Sequence, residues 1–249
     1  MQTLQNNIMP GIQIIQTSLF LKKQKTLIIA DLHLGIEESL TKQGILIPKT
    51  NLQNTQNKLK KILNQTNNLN KIIINGDLKH EFGKKTIQEQ NETKKILDLL
   101  STKTKETIII KGNHDTIQNY SKQIPTAKEY FLPTEKILIL HGHKLSQSQE
   151  YKKAKTLIIA HEHPTITLTD KLKKETYKCF LKGKYNQKNL IVMPSFLSNP
   201  LGSNILNQKP LSPFLQNQNI TEFQTWILAD KPYCFGKIKN IPNISNIPT

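Results

Sequence analysis

The chain of 249 residues contains no arginine: all 35 of its basic residues are lysines. Without the guanidinium fork, no side chain is suited to bidentate reading of guanine edges, which counts against sequence-specific DNA recognition. The formal charge of +17 can still draw in phosphate backbones without sequence preference. Lys, Asn and Ile share A/T-rich codons, so base composition alone could also produce that charge. Cysteine is scarce as well. Cys179 and Cys234 have no metal-type spacing and no disulfide framework around them, as expected of a reduced, cytoplasmic protein. No run comes close to the roughly 20 apolar residues of a membrane span, so no membrane partner is expected. The start, MQTLQNNIMPG, lacks the basic and apolar regions of a secretory signal.

Hydrophobic residues make up only 36% of the chain, but they are gathered into short blocks. LIIA, KIIING, TIIIKG, KILIL and NLIVM are β-branched and bounded by polar residues or glycine, the pattern of buried strands. Between them, residues 50–67 place Leu52, Leu59, Ile62 and Leu63 on one helical face, and residues 86–100 do so with Ile87, Ile96, Leu97 and Leu100. A further short helix fits residues 146–152. After Pro164 the pattern changes to successive strands: TITLT, TYKCFLKG, NLIVMPS and TWILAD. Alternation followed by consecutive strands predicts an α/β fold with a mixed rather than wholly parallel sheet. Residues 11–240 read as one domain, with 1–10 and 241–249 as loose ends. Residues 194–213, rich in Pro, Ser, Asn and Gly, read as a long functional loop.

One segment is written twice. TLIIADLH begins at Thr26 and TLIIAHEH at Thr156, and both end in histidine. Each apolar block of the first two-thirds in fact stops at metal-capable side chains. These are Asp31 and His33, Asp77 with His80, Asn113, His114 and Asp115, His141 and His143, then His161 and His163. All 7 histidines of the chain are in this set. A lone histidine at a strand end is usually a surface or hydrogen-bonding residue, and a lone Gly-Asp is usually a turn. Five such endings are another matter, because ligands of open α/β sheets collect beyond the carboxyl ends of the strands. Residues two apart in extended chain point to the same side, so Asp-x-His and His-x-His could each face one ion. Carboxylate, imidazole and amide donors without thiolate suit Mn, Fe, Zn or Mg. There are too many of them for one ion and enough for two.

In this order and spacing, DLH, GD, GNHD, HG and HEH resemble the calcineurin-like metallophosphoesterases, from about Leu27 to Pro164. GDLKH and the extended DLHLG are also similar to the SbcD-type nuclease branch, and within it to archaeal SbcD-related phosphoesterases and the DNA-ligase-associated group. The resemblance implies a four-layer α/β/β/α sandwich of two mixed sheets, with the metal site at the carboxyl ends of the strands. It implies two divalent ions, manganese foremost. Asp31, His33 and His163 would hold one ion and Asn113, His141 and His161 the other, with Asp77 between them. His114 would be the catalytic histidine, Asp115 a residue that could orient it, and His80 a neighbour of the scissile phosphate. His143 is given no ligand role beyond support of a neighbouring residue. Ala160 stands where this motif usually has glycine, a change that ordinary β backbone tolerates. The implied activity is hydrolysis of phosphodiesters, nucleic acid or nucleotides among them, by a hydroxide bridging the two ions. The same core also serves phosphomonoesterases and non-catalytic scaffolds.

Overall fold

The computed structural model describes residues 6–46, 48–81, 86–115, 124–170, 173–198 and 202–241. The first half builds one sheet whose strands lie side by side in chain order. They are β1 (Asn7–Met9), β2 (Ile12–Ile15), β3 (Ser18–Leu21), β4 (Thr26–Ile29), β5 (Lys71–Asn75), β6 (Thr107–Ile110) and β7 (Thr126–Ala127). The first four pair antiparallel and the last four parallel. Helices α1 (Ile36–Lys42) and α2 (Asn51–Gln65) connect β4 to β5, and α3 (Ile87–Ser101) connects β5 to β6.

The second half builds a second mixed sheet from β8 (Glu129–Leu132), β9 (Ile137–Leu140), β10 (Thr156–Ile159), β11 (Pro164–Asp170), β12 (Lys173–Tyr185), β13 (Lys188–Val192), β14 (Ser203–Asn204), β15 (Gln224–Leu228) and β16 (Pro232–Lys237). Its centre is parallel, β9 and β13 flanking β10, while β12 pairs antiparallel with β11, β13 and β15. Helix α4 (Gln149–Lys153) precedes β10.

Strand periodicity explains why the two sheets stack. Ile28 of β4 and Ile73 of β5 point inward and meet Ile139, Ile158 and Ile191 of the second sheet in one buried cluster. Leu27, Ile29, Ile72 and Ile74 point outward, under Leu59, Ile62 and Leu63 of α2 and Ile96, Leu97 and Leu100 of α3. Leu138, Leu157, Ile159 and Val192 are covered on the far side by Phe214, Phe223 and the region of α4. Each buried isoleucine contributes about 2–3 kcal/mol through lost apolar surface. The result is an α/β sandwich of two mixed sheets flanked by helices, with the helical cover of the second sheet thin. The two TLII copies hold equivalent positions. Ile28 and Ile158 both face the inter-sheet core, while their neighbours face the outer layers.

Several expectations are corrected. Ahead of β4, outside the short apolar blocks, residues 12–21 form a hairpin of two strands, turned at Gln16 with φ 53°. Part of the expected loose tail forms β1; residues 1–5 and 242–249 lie outside the described residues. Helix α1 was missed because IEESLTK carries no apolar stripe. Its Glu37 is buried and acts through polarity, accepting the Thr50 and Asn51 N–H groups at 2.6 and 2.7 Å. That carboxylate caps α2, whose Thr50 makes no side-chain cap of its own. Within the loop 194–213, Phe196 is fully buried and β14 pairs with β11, whereas Leu211 is exposed. Residues 199–201 of that loop are outside the described set.

Candidate metal centre

Beyond β4, β5, β6, β9 and β10 the backbone turns sharply into a shared cleft. Asp31, His33, Asp77, His161 and His163 all have positive φ, between 44° and 67°. This corrects the extended geometry expected for Asp-x-His and His-x-His. The side chains converge because alternate residues adopt the left-handed conformation, which Asp and His enter more readily than most residues. Such conformers cost about 1–3 kcal/mol each and persist only where surrounding contacts hold them. Here the neighbouring turns supply those contacts. The N–H groups of Asp31, His33 and Leu34 donate to the carbonyls of Gly76, Asp77 and Leu78, and the His80 N–H donates back to Leu34. Gly76 and Gly112 are required at their positions. A β-carbon would lie 2.0 Å from His141 Nδ1 at Gly76, and 2.0 Å from Asp77 Oδ1 at Gly112.

Three groups of potential ligand atoms result, each with its atoms within 4.8 Å of one another: Asp31, His33 and His163; Asp77, His141 and His161; His33, His80 and His114. Asp77 reaches across them, its Oδ2 lying 3.3 Å from His141 Nε2 and 3.9 Å from both His33 Nε2 and His114 Nε2. The Asp77 Oδ1 accepts the His114 N–H at 2.9 Å. Asn113 Oδ1 lies 3.1 Å from His141 Nε2, on the side of the second group. Asp31 Oδ2 lies 3.4 Å from His163 Nε2. His143 stands beside His141 and His161, with ring centroids 5.3 and 6.1 Å away. Ala160 is fully buried in the inter-sheet cluster at a backbone without positive φ, so its methyl group is accommodated.

Two buried aspartates give the cleft its negative charge, and His141 beside them is held protonated. Burial alone would push His141 down, but its hydrogen bond to Asp77 and the charges of Asp31 and Asp77 outweigh that and hold it at about 9. Burial would raise both aspartates. The charge and hydrogen bond of His163 lower Asp31, and those of His141 lower Asp77. Burial, reinforced by His163, drives His33 down to about 3; burial, reinforced by His141, drives His161 and His143 to about 4. At neutral pH the cleft thus presents two carboxylates, neutral imidazoles at His33, His143 and His161, and a protonated His141 that must release its proton to accept an ion.

The residues fit divalent ions on two observations. The Nε2 atoms of His33 and His163 face each other at 3.4 Å, where a single shared proton is the most the pair can use. Asp31 Oδ1 is buried with no hydrogen-bond partner, its nearest cation being His141 Nδ1 at 3.6 Å, beyond hydrogen-bond reach. Opposed lone pairs and an orphaned buried carboxylate oxygen are costly unless a cation accepts them. The described His and Asp residues therefore form two clusters capable of holding divalent metal ions.

Structure adds anchoring residues that the motif reading passed over. Glu92 of α3 accepts the Gly35 N–H at 2.9 Å and Glu89 accepts the Glu81 N–H at 3.1 Å, tying the turns after β4 and β5 to one helix. On the other sheet, Glu162 accepts the N–H groups of Leu211 and Ser212 at 2.9 and 2.8 Å. Lys178 donates to Ser195 O and Leu197 O, while Phe196 N–H returns to Ala30 O at 2.8 Å. A sequence signal existed for Glu89. Thr86-Ile-Gln-Glu89 is a capping-box pattern, and Thr86 does accept the Glu89 N–H. The Glu89 carboxylate goes elsewhere, to the turn after β5.

The family profile described as calcineurin-like phosphoesterase matches residues 24–221. No curated protein matches the chain significantly. Among solved structures the chain is similar to the Pseudomonas putida nuclease MPE, with a TM-score of 0.61 at 15% identity over 90% of this chain and 94% of that one. It is also similar, at a TM-score of 0.38, to zinc-complexed Vps29 from Entamoeba histolytica, 17% identical over 84% of this chain and 96% of that one. At such identities the likeness to the nuclease speaks for the fold alone.

Proposed function

The chain belongs to the calcineurin-like phosphoesterase family, and from that membership we propose that it is a two-metal phosphodiesterase acting on nucleic acid or nucleotides. The observation that carries the reading is the convergence of four strand ends on two ligand groups, with Asp77 reaching both and Asn113 from a fifth strand end 3.1 Å from His141. Asp31, His33 and His163 would hold one ion, and Asn113, His141 and His161 the other, with Asp77 shared. Divalent ions bound there supply a nucleophile from water at neutral pH and neutralise charge on the phosphoryl oxygens. Manganese suits this donor set and is the ion to test first.

The remaining residues act on the substrate. His114 has its Nδ1 engaged by the His80 carbonyl, which turns Nε2 toward the cleft, 3.9 Å from Asp77 Oδ2. A proton delivered from there would stabilise the departing oxygen. His80 lies against His114, ring centroids 5.4 Å apart, where its imidazole can orient a phosphoryl oxygen. Asp115 accepts the Gly112 N–H at 2.9 Å and so holds the turn that carries Asn113 and His114.

The diester preference is supported by the +17 charge, which attracts polyanions. The GDLKH and DLHLG motifs support placement beside the SbcD-related group. A single domain and a cytoplasmic location complete the reading. A screen of the manganese-loaded protein on bis(p-nitrophenyl) phosphate, p-nitrophenyl phosphate, single-stranded DNA and RNA tests it. Turnover of the diesters, lost in His114→Ala with metal content retained, is expected. Turnover of the monoester alone points to a phosphomonoesterase, and none with both ions bound points to a scaffold.

A further inference from the structure

The peptide group joining His80 to Glu81 is engaged on both sides. Its carbonyl accepts from His114 Nδ1, and its N–H donates to Glu89 Oε1 at 3.1 Å. Glu89 is only 1% exposed, and its other oxygen, Oε2, is buried without a hydrogen-bond partner. The residue is held firmly. Its own N–H is taken by the Thr86 hydroxyl at 3.1 Å, and its Cβ lies where a Gly35 side chain would begin, 3.2 Å away. Lys79, 2% exposed, donates to the Glu81 carbonyl at 2.6 Å and fixes the next peptide in turn.

We infer that Glu89 is the positioning residue for His114, acting through the intervening peptide bond. An acid–base histidine needs a partner on its second nitrogen to set its tautomer and orientation. A carboxylate in direct contact is the usual device. Here the peptide carbonyl takes that place and the carboxylate sits one group further out. Hydrogen bonds in series polarise one another, so a carboxylate drawing on the N–H strengthens the carbonyl as an acceptor for Nδ1–H. The arrangement holds Nδ1–H toward the carbonyl and Nε2 toward the cleft. It also accounts for a glutamate in a capping-box position that leaves its helix end to serve the turn after β5.

The inference rests on the role proposed above for His114, and two readouts keep the failures apart. The first is kinetic, with the manganese-loaded protein and bis(p-nitrophenyl) phosphate. Glu89→Ala should lower kcat about 10-fold or more, the scale of one lost charge-assisted hydrogen bond, with KM within about twofold and metal content unchanged. Glu89→Gln, which keeps an acceptor for the N–H, should restore most of that loss. Glu89→Asp, too short to reach, should not. In a His114→Ala background, Glu89→Ala should cost nothing more. The second readout needs no turnover. In the zinc-loaded, 15N-labelled protein, the Nδ1–H signal identified by its absence in His114→Ala should move upfield and exchange faster with water in Glu89→Ala. An unmoved signal overturns the inference, as does an undiminished loss in the double variant or a loss confined to KM or to metal content. A parent protein without turnover of any diester overturns the role of His114, while the spectrum still decides the link to Glu89.

Discussion

Glu162 stands between His161 and His163 and points away from them, into the protein. Its carboxylate is 2% exposed and holds two backbone N–H groups, Leu211 and Ser212, at 2.9 and 2.8 Å. Ser212 in turn donates its hydroxyl to Gly142 O at 2.8 Å, so one carboxylate ties the loop before Phe214 to the turns after β9 and β10. In Glu162→Ala both bonds vanish and the Ser212 N–H is left buried without a partner. Hydrogen bonds to a charged group contribute about 1.5–3 kcal/mol each, and an orphaned buried donor costs about 1–3 kcal/mol. Part of this is offset, because burial already disfavours the charged carboxylate and holds its pKa above the usual range. A net destabilisation of about 3 kcal/mol is expected. For a chain of this size that is a fall of about 1 M in the urea midpoint, or about 6–12 °C in Tm. Glu162→Gln keeps an acceptor for both N–H groups without the buried charge and should stay within about 1 kcal/mol of the parent. Urea unfolding of the three proteins, with m compared to exclude a changed unfolded state, measures both. A Glu162→Ala midpoint within about 0.3 M of the parent, equivalent to about 1 kcal/mol, would refute the anchoring role. So would a Glu162→Gln midpoint as low as that of Glu162→Ala.

Three further outcomes are expected. Manganese at about 100 times its dissociation constant should stabilise the protein by about 2.7 kcal/mol relative to EDTA, raising Tm by about 5–10 °C; calorimetry should show that shift reduced in Asp77→Ala, and equal Tm values would argue against an ion-binding cleft. Cys179 is fully buried with its thiol pushed up to about 12, whereas Cys234 is exposed; a thiol reagent should therefore titrate one cysteine in the native protein and two after denaturation. Lys58 is pushed down by burial to about 7 from 10.5, so between those values the unfolded chain holds a proton that the folded one has released, and stability contributed by this residue rises with pH. Lys58→Met loses the 3.0 Å hydrogen bond from Lys58 Nζ to Phe196 O, so the check is the pH trend: the variant's urea midpoint relative to the parent should fall from about pH 7 to about pH 10, and a constant difference would contradict the assignment.

Much of this protein was readable in one dimension because its signals are local. Strand and helix identity came from periodicity, which reports burial of one face. Thus α2 and α3, with apolar residues at helical spacing, were legible, although Ile87 of the face read for α3 is exposed, and α1, held by the polar contacts of Glu37, was not. Short pairing partners such as β8 and β16 went unread because their residues are only partly buried and do not form apolar blocks. The candidate ligands all sit next to strands that the sequence marks, so they could be named as candidates from residue type and order.

What the sequence could determine alone was which residues end the buried strands and that these are metal-capable, since both follow from residue type and order. How they meet was decided by tertiary contacts. The left-handed turns at Asp31, His33, Asp77, His161 and His163 are costly in isolation and hold only where neighbouring turns lock them. The equivalence of the two TLII strands is likewise a property of the stacked sheets. Glu89 and Glu162 belong to the same class. Their residue type allows a cap, a salt bridge or a solvated side chain, and only the packing of distant turns against them selects an anchor.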